Sequence, residues 1–126
     1  LGSEVGMIEM DNSSPTSSFV KNELVEHTWK EMVSMDTLDH YMQDKDFEIG
    51  MIKVDIEGAE QKFLAGARRT IEKFKPVLLL SIYHNAYVFF EIKPLIESWK
   101  LGYKFRIHKP VDYSVSREVL LIAEIR

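Results

Sequence analysis

Between Met51 and Tyr83 the chain spells strand, helix, strand, and this unit narrows the possible folds more than any other stretch. Met51 to Ile56 is an apolar strand. Glu57-Gly58-Ala59-Glu60 follow at once, and then Phe63, Leu64, Ala67, Ile71 and Phe74 recur at helical spacing. Glu57 and Glu60 are expected at the start of this helix and Arg68, Arg69 and Lys73 toward its end, the arrangement the helix dipole favours. Pro76 stops the helix. Val77 to Tyr83 is then a nearly unbroken apolar run, the pattern of a parallel strand covered by helices on both faces. Two parallel strands joined through a helix call for a right-handed crossover, which places the chain in the α/β class.

The flanks add a hairpin before this unit and an antiparallel return after it. Val5 to Asp11 reads as a strand, and Trp29, Glu31, Val33 and Met35 alternate with polar neighbours as its partner. Asn12 to Ser18 is turn chemistry, an exposed loop or a lid. Asp36 or Thr37 can cap a short helix in which Leu38, Tyr41 and Met42 share a face. Downstream, Val88, Phe89, Ile92, Leu95, Ile96 and Trp99 trace a second helical stripe. Pro94 is expected to hold the start of the regular helix back to Lys93, and Gly102 to cap its end. Tyr103, Phe105 and Ile107 then alternate as an edge strand. Val119 to Ile125 follows after a connection too short for another helical crossover. The expectation is one domain over residues 1–126, with a hairpin and short helix in 1–49.

Composition excludes several classes. Hydrophobic residues at 45% and charged residues at 29% suit a chain that folds. Sixteen basic side chains against twenty acidic ones leave a charge of −4, which argues against a phosphate-binding surface and hence against nucleic acid. Without any Cys there are no disulfides, thiolate metal sites or thiol nucleophiles, and a reducing, cytoplasmic setting fits. The longest apolar run falls far short of the roughly 20 residues of a membrane-spanning helix. Leu1-Gly2-Ser3-Glu4 has no signal-peptide character.

The segment Met51-Ile52-Lys53-Val54-Asp55-Ile56-Glu57-Gly58-Ala59-Glu60, with Phe63-Leu64-Ala65-Gly66-Ala67 and Lys75-Pro76-Val77 after it, resembles the signature of the FkbM methyltransferases. Val33-Ser34-Met35-Asp36-Thr37-Leu38-Asp39 and Leu101-Gly102-Tyr103 are similar to two further family segments. The resemblance implies a Rossmann-like, three-layer methyltransferase sandwich truncated to the C-terminal half of its sheet. Its strands would stand in the order fourth, fifth, seventh, sixth, with the last antiparallel. It also implies S-adenosylmethionine as cofactor and a hydroxyl oxygen of a sugar, lipid or natural product as methyl acceptor. Family members hold the cofactor with a Gly-rich turn after a first strand and an acid after a second. Here Gly2, Gly6, Gly50, Gly58, Gly66 and Gly102 form no Gly-x-Gly cluster. Activity is therefore expected of the complete protein, with this chain alone inactive.

In open α/β sheets ligands lie beyond the carboxyl ends of the parallel strands, which here means the residues after Val54 and after Ile82. Asp55 and His84 are the catalytic candidates, able to take a proton from an acceptor hydroxyl or polarise it. Glu57 and Asn85 are candidate substrate contacts. The bland alternatives are a pair of carboxylates at a helix N-terminus, a hydrogen-bonded structural His and a turn Asn. Glu60 reads as a first-turn dipole partner. Tyr83, Tyr87, Phe89 and Phe90 could floor a pocket but more often belong to a core. Gly58 and Gly66 are expected to admit close approach of helix and sheet. His27, His40 and His108 have no ligand pattern around them. No metal site is expected, since a metal-dependent hydrolase built on Asp55, Glu57 and His84 would lack a His-rich ligand set. The competing class is a non-catalytic α/β binding or assembly module. If the first half of the sheet is missing, Met51 to Ile56 presents an unpaired edge, and a homodimer through that edge is expected.

Overall fold

Residues 1–11, 30–114 and 117–126 are described by the structure, a computed structural model. The Asn12 to Ser18 loop, His27 and Trp29 lie outside them. The order is β1 (Gly6–Asp11), β2 (Lys30–Met35), α1 (Leu38–Tyr41), β3 (Met51–Val54), α2 (Glu60–Phe74), β4 (Val77–Ser81), α3 (Ala86–Ser98), β5 (Lys104–His108) and β6 (Leu120–Glu124).

β1 and β2 pair antiparallel as the alternation predicts, with Ile8 opposite Val33. Ile8, Met10, Val33 and Met35 are half-buried, whereas Met7 and Met32 on the other face are exposed. The second sheet runs β3-β4-β6-β5, with β3 parallel to β4 and β6 antiparallel to both of its neighbours. This is the order the resemblance implies. β3 ends the sheet, and among the described residues no strand pairs with its outer edge.

The core lies on one face of this sheet. Ile52, Val54, Leu78, Leu80, Leu121 and Ala123 bury there against Leu64, Ile71, Ile92 and Ile96 of α2 and α3. Each fully buried Leu or Ile contributes about 1.5–3 kcal/mol relative to exposure. On the opposite face Met51 and Lys53 are exposed and Val77 and Leu79 half-buried. The expectation of helices on both faces is thus corrected. Among the described residues the helices cover a single face, and the apolar run of β4 exceeds what one face requires.

Other boundaries also move, each for a local reason. β3 stops at Val54 and α2 starts only at Glu60, because Glu57 (φ 55°) and Gly58 (φ 96°) take left-handed backbone that no helix can include. α3 starts at Ala86, eight residues before Pro94, because the Asn85 side chain caps it by accepting from Val88 N at 2.8 Å. The carbonyl that Pro94 leaves unpaired belongs to exposed Phe90, where water can satisfy it. At the other end of α3, Lys100 (φ 54°) takes the left-handed position just after the helix that was expected of Gly102. Tyr41 is exposed beside Lys45, leaving Leu38 as the buried residue of α1 and Met42, just after it, buried as well.

The Thr37-Leu38-Asp39 segment docks α1 onto α2. Thr37 caps α1 by accepting from His40 N at 3.0 Å, and the Asp39 carboxylate accepts from Thr70 N at 2.7 Å and Arg69 N at 3.0 Å. Gly2 lies against the same side of α2, its N–H donating to Asp36 O at 2.7 Å. A Cβ on Gly66 would stand 2.0 Å from Gly2 O, so Gly66 admits this N-terminal segment and not, as expected, the sheet.

Tyr103 ties the approach of β5 to that of β4 by donating to Pro76 O at 2.7 Å. Burial pushes its phenol from the ordinary 10.0 up to about 12. The unfolded chain then loses this proton before the folded one does, so the contribution of Tyr103 to stability is fully present below pH 10.0 and is lost as pH rises from there to about 12. Tyr103→Phe is expected to cost about 1 kcal/mol near neutral pH and to flatten the alkaline decline. Urea denaturation on either side of the window measures both effects.

Candidate active site

Two strand ends make the site. β3 and β4 are parallel with Val54 opposite Leu80, so the residues that leave both strands emerge at the same end of the sheet. Asp55 follows β3 directly, and His84 comes three residues after the end of β4. Their side chains meet: His84 Nε2 lies 3.4 Å from Asp55 Oδ1 and 3.7 Å from Glu57 Oε2. The left-handed turn at Glu57 and Gly58 brings the second carboxylate round to the imidazole, at a backbone cost of about 1–2 kcal/mol for Glu57. Three of the four residues picked from the sequence therefore share one cluster.

Burial grades the cluster from base to mouth. The His84 side chain is 7% exposed, Asp55 34% and Glu57 48%. Glu60, taken from the sequence for a simple dipole partner, is fully buried at 0% and stands 2.9 Å from His84 Nδ1 on the side away from Asp55. The sequence carried a signal for this. Glu60 falls on the same stripe as Leu64, Ala67 and Ile71, where an acid at a core position needs polar partners.

Asn85 occupies the neighbouring corner. Its Oδ1 caps α3, and its Nδ2 abuts Gly58, where an added Cβ would come within 3.0 Å. Gly58 therefore serves a left-handed turn beside a side chain. Tyr83 stacks on His84 with ring centroids 4.3 Å apart, and its hydroxyl reaches Asp55 Oδ1 at 3.5 Å. Burial, and then the negative charges of Asp55, Glu118 and Glu57, push the Tyr83 phenol up, so it remains a proton donor toward Asp55. Tyr83 was named from the sequence only as a possible pocket floor, and Glu118 was not picked at all. Tyr87, Phe89 and Phe90 are exposed on α3 and belong to no core, contrary to expectation.

Chemically, the cluster offers a buried imidazole nitrogen facing two partly exposed carboxylates. Among the described residues neither ring nitrogen of His84 has a hydrogen-bond partner, the 2.9 Å approach to Glu60 being close but poorly aligned. Nε2 faces Asp55 and Glu57 from a buried position at the base of the cluster. Among the described residues, no group of three or more His, Asp or Glu is arranged to hold a metal ion. No described helix is long and apolar enough to cross a membrane.

The sheet order, the single covered face and the shared strand ends define a mixed α/β fold of methyltransferase type. Residues 5–105 match the Methyltransferase FkbM domain, and the chain belongs to that family. The crystal structure of methyltransferase FkbM from Methylobacillus flagellatus KT shares the fold, with a TM-score of 0.66 at 23% sequence identity. The similarity covers 97% of this chain and 26% of that one, so the chain spans about a quarter of the length of its structural relative. Comparison with curated proteins gives no match.

Proposed function

We propose that the complete protein transfers a methyl group from S-adenosylmethionine to a hydroxyl oxygen of a sugar, lipid or natural product, with Asp55 and His84 at the acceptor side of a Rossmann-like site. The observation that carries this reading is His84 Nε2, unpartnered and buried, facing Asp55 Oδ1 at 3.4 Å across the joint end of β3 and β4.

When bound, S-adenosylmethionine supplies an electrophilic methyl group on a positively charged sulfonium. The residues present fit that charge in sign, because the mouth displays Asp55 and Glu57. Grips for the methionine and ribose parts are a different matter, since no Gly-x-Gly turn occurs in the sequence. What these residues do is act on the acceptor. A hydroxyl between His84 and Asp55 is oriented by the carboxylate and gives up its proton to Nε2 as its oxygen becomes nucleophilic, a contribution of about 10²–10⁴-fold. Glu57, and Asn85 through Nδ2, lie where they can hold neighbouring hydroxyls of the acceptor. On the same reading, the unpaired edge of β3 receives a further strand, from the rest of the protein or from a second copy.

Calorimetric titration with S-adenosylmethionine and S-adenosylhomocysteine tests the proposal. Binding is expected for the complete protein and not for the 126-residue chain by itself. No binding by either would end the enzyme reading in favour of a non-catalytic α/β module.

A further inference from the structure

Glu60 is unusual for its surroundings. It is an acid with no exposed surface, on the core stripe of α2, with no Lys or Arg of the described residues within ion-pair distance. A carboxylate taken out of water without compensation costs several kcal/mol, so its position demands compensating partners. Three are present. Oε1 accepts from Ile56 N at 3.2 Å and from Gly58 N at 3.3 Å, and it lies 2.9 Å from His84 Nδ1. The positive end of the α2 dipole, where Glu60 is the first residue, adds to these.

We infer that Glu60 is a positioning residue that holds His84 in a single tautomer, and this rests on the acceptor-side reading of His84 given above. A carboxylate accepts hydrogen bonds and cannot donate them, so at 2.9 Å a ring nitrogen that carries the proton is favoured over one that turns its lone pair toward the oxygen, even without an aligned hydrogen bond. That nitrogen is Nδ1. Nε2 is then left with its lone pair toward Asp55 and the mouth, in the state required to take a proton from an acceptor hydroxyl. The same oxygen closes the turn from Ile56 to Gly58 that carries Asp55 and Glu57 toward the imidazole. One buried carboxylate thus sets both the chemistry of the ring nitrogen and the place of its two neighbours. Oε2, buried and without a partner, marks Glu60 as retained at some cost to stability.

The test is the nitrogen-15 spectrum of the His84 ring in the complete protein, at alkaline pH where an imidazole is neutral. The wild type is expected to show the Nδ1–H tautomer. Glu60→Leu keeps much of the side-chain volume and removes the oxygen that faces Nδ1. That variant is expected to shift the ring toward the Nε2–H form. Transfer of tritium from methyl-labelled S-adenosylmethionine into an extract of hydroxylated small molecules should fall roughly tenfold to a hundredfold, with cofactor affinity unchanged. An Nε2–H tautomer in the wild type would overturn the inference without any reference to activity. So would a wild-type spectrum in Glu60→Leu. A tautomer shift with wild-type methyl transfer would preserve the role of Glu60 as positioner and refute the catalytic reading of His84.

Discussion

His84→Gln is expected to lower methyl transfer by the complete protein about 10²–10⁴-fold, the span that removal of a positioned proton acceptor covers. Gln can still donate to Glu60 Oε1 from its amide, so the buried carboxylate is not abandoned and the fold should survive, at a cost of about 1–3 kcal/mol. What Gln cannot do is take a proton from a hydroxyl lying toward Asp55. Activity should therefore fall by far more than the loss of stability explains. Thermal unfolding measured beside tritium transfer separates the two, and a variant that remains folded and active would show His84 to be structural.

Gly66→Ala is expected to destabilise the chain by about 1–3 kcal/mol, although Ala is the better helix former by about 1 kcal/mol. Two effects compete at this position. Propensity favours the methyl group, but that methyl would stand 2.0 Å from Gly2 O and 3.1 Å from Thr37 Cβ. Backbone on one side and a capping residue on the other leave no flexible side-chain end to yield. The N-terminal segment must move, which puts the Gly2 N to Asp36 O bond at risk. Overlap with backbone outweighs a propensity gain of this size, so urea denaturation should show a lower midpoint. A higher one would mean that the segment detaches freely and contributes nothing.

The strands were legible from residue patterns, whereas their order in the sheet was what the family resemblance implied. Alternation marked β1, β2 and β5, the unbroken apolar run marked β4, and the short connection before β6 excluded another crossover. The meeting of Asp55 and His84 was legible to the level of strand ends, since both follow adjacent parallel strands. Less visible were features that depend on single backbone angles. The left-handed conformation of Glu57 shortened both β3 and α2. A side-chain cap at Asn85 carried α3 back past the position that Pro94 suggested. Glu60 does stand in the first turn of α2, but its complete burial was not foreseen. Its place in the first turn fits a dipole partner, and only its alignment with Leu64, Ala67 and Ile71 distinguishes a buried acid from an exposed one. Coverage of the second face of the sheet was overestimated, because an apolar run reports what a strand can bury and not what is there to bury it.

The most direct measurement compares Asp55→Asn with the wild type, in the complete protein, for S-adenosylmethionine affinity and for single-turnover methyl transfer to an extract of hydroxylated small molecules. If Asp55 orients the acceptor, affinity should stay within about threefold while transfer falls by about a hundredfold or more. Equal losses in both would move Asp55 to the cofactor. Unchanged transfer would remove the strand-end cluster from the chemistry altogether.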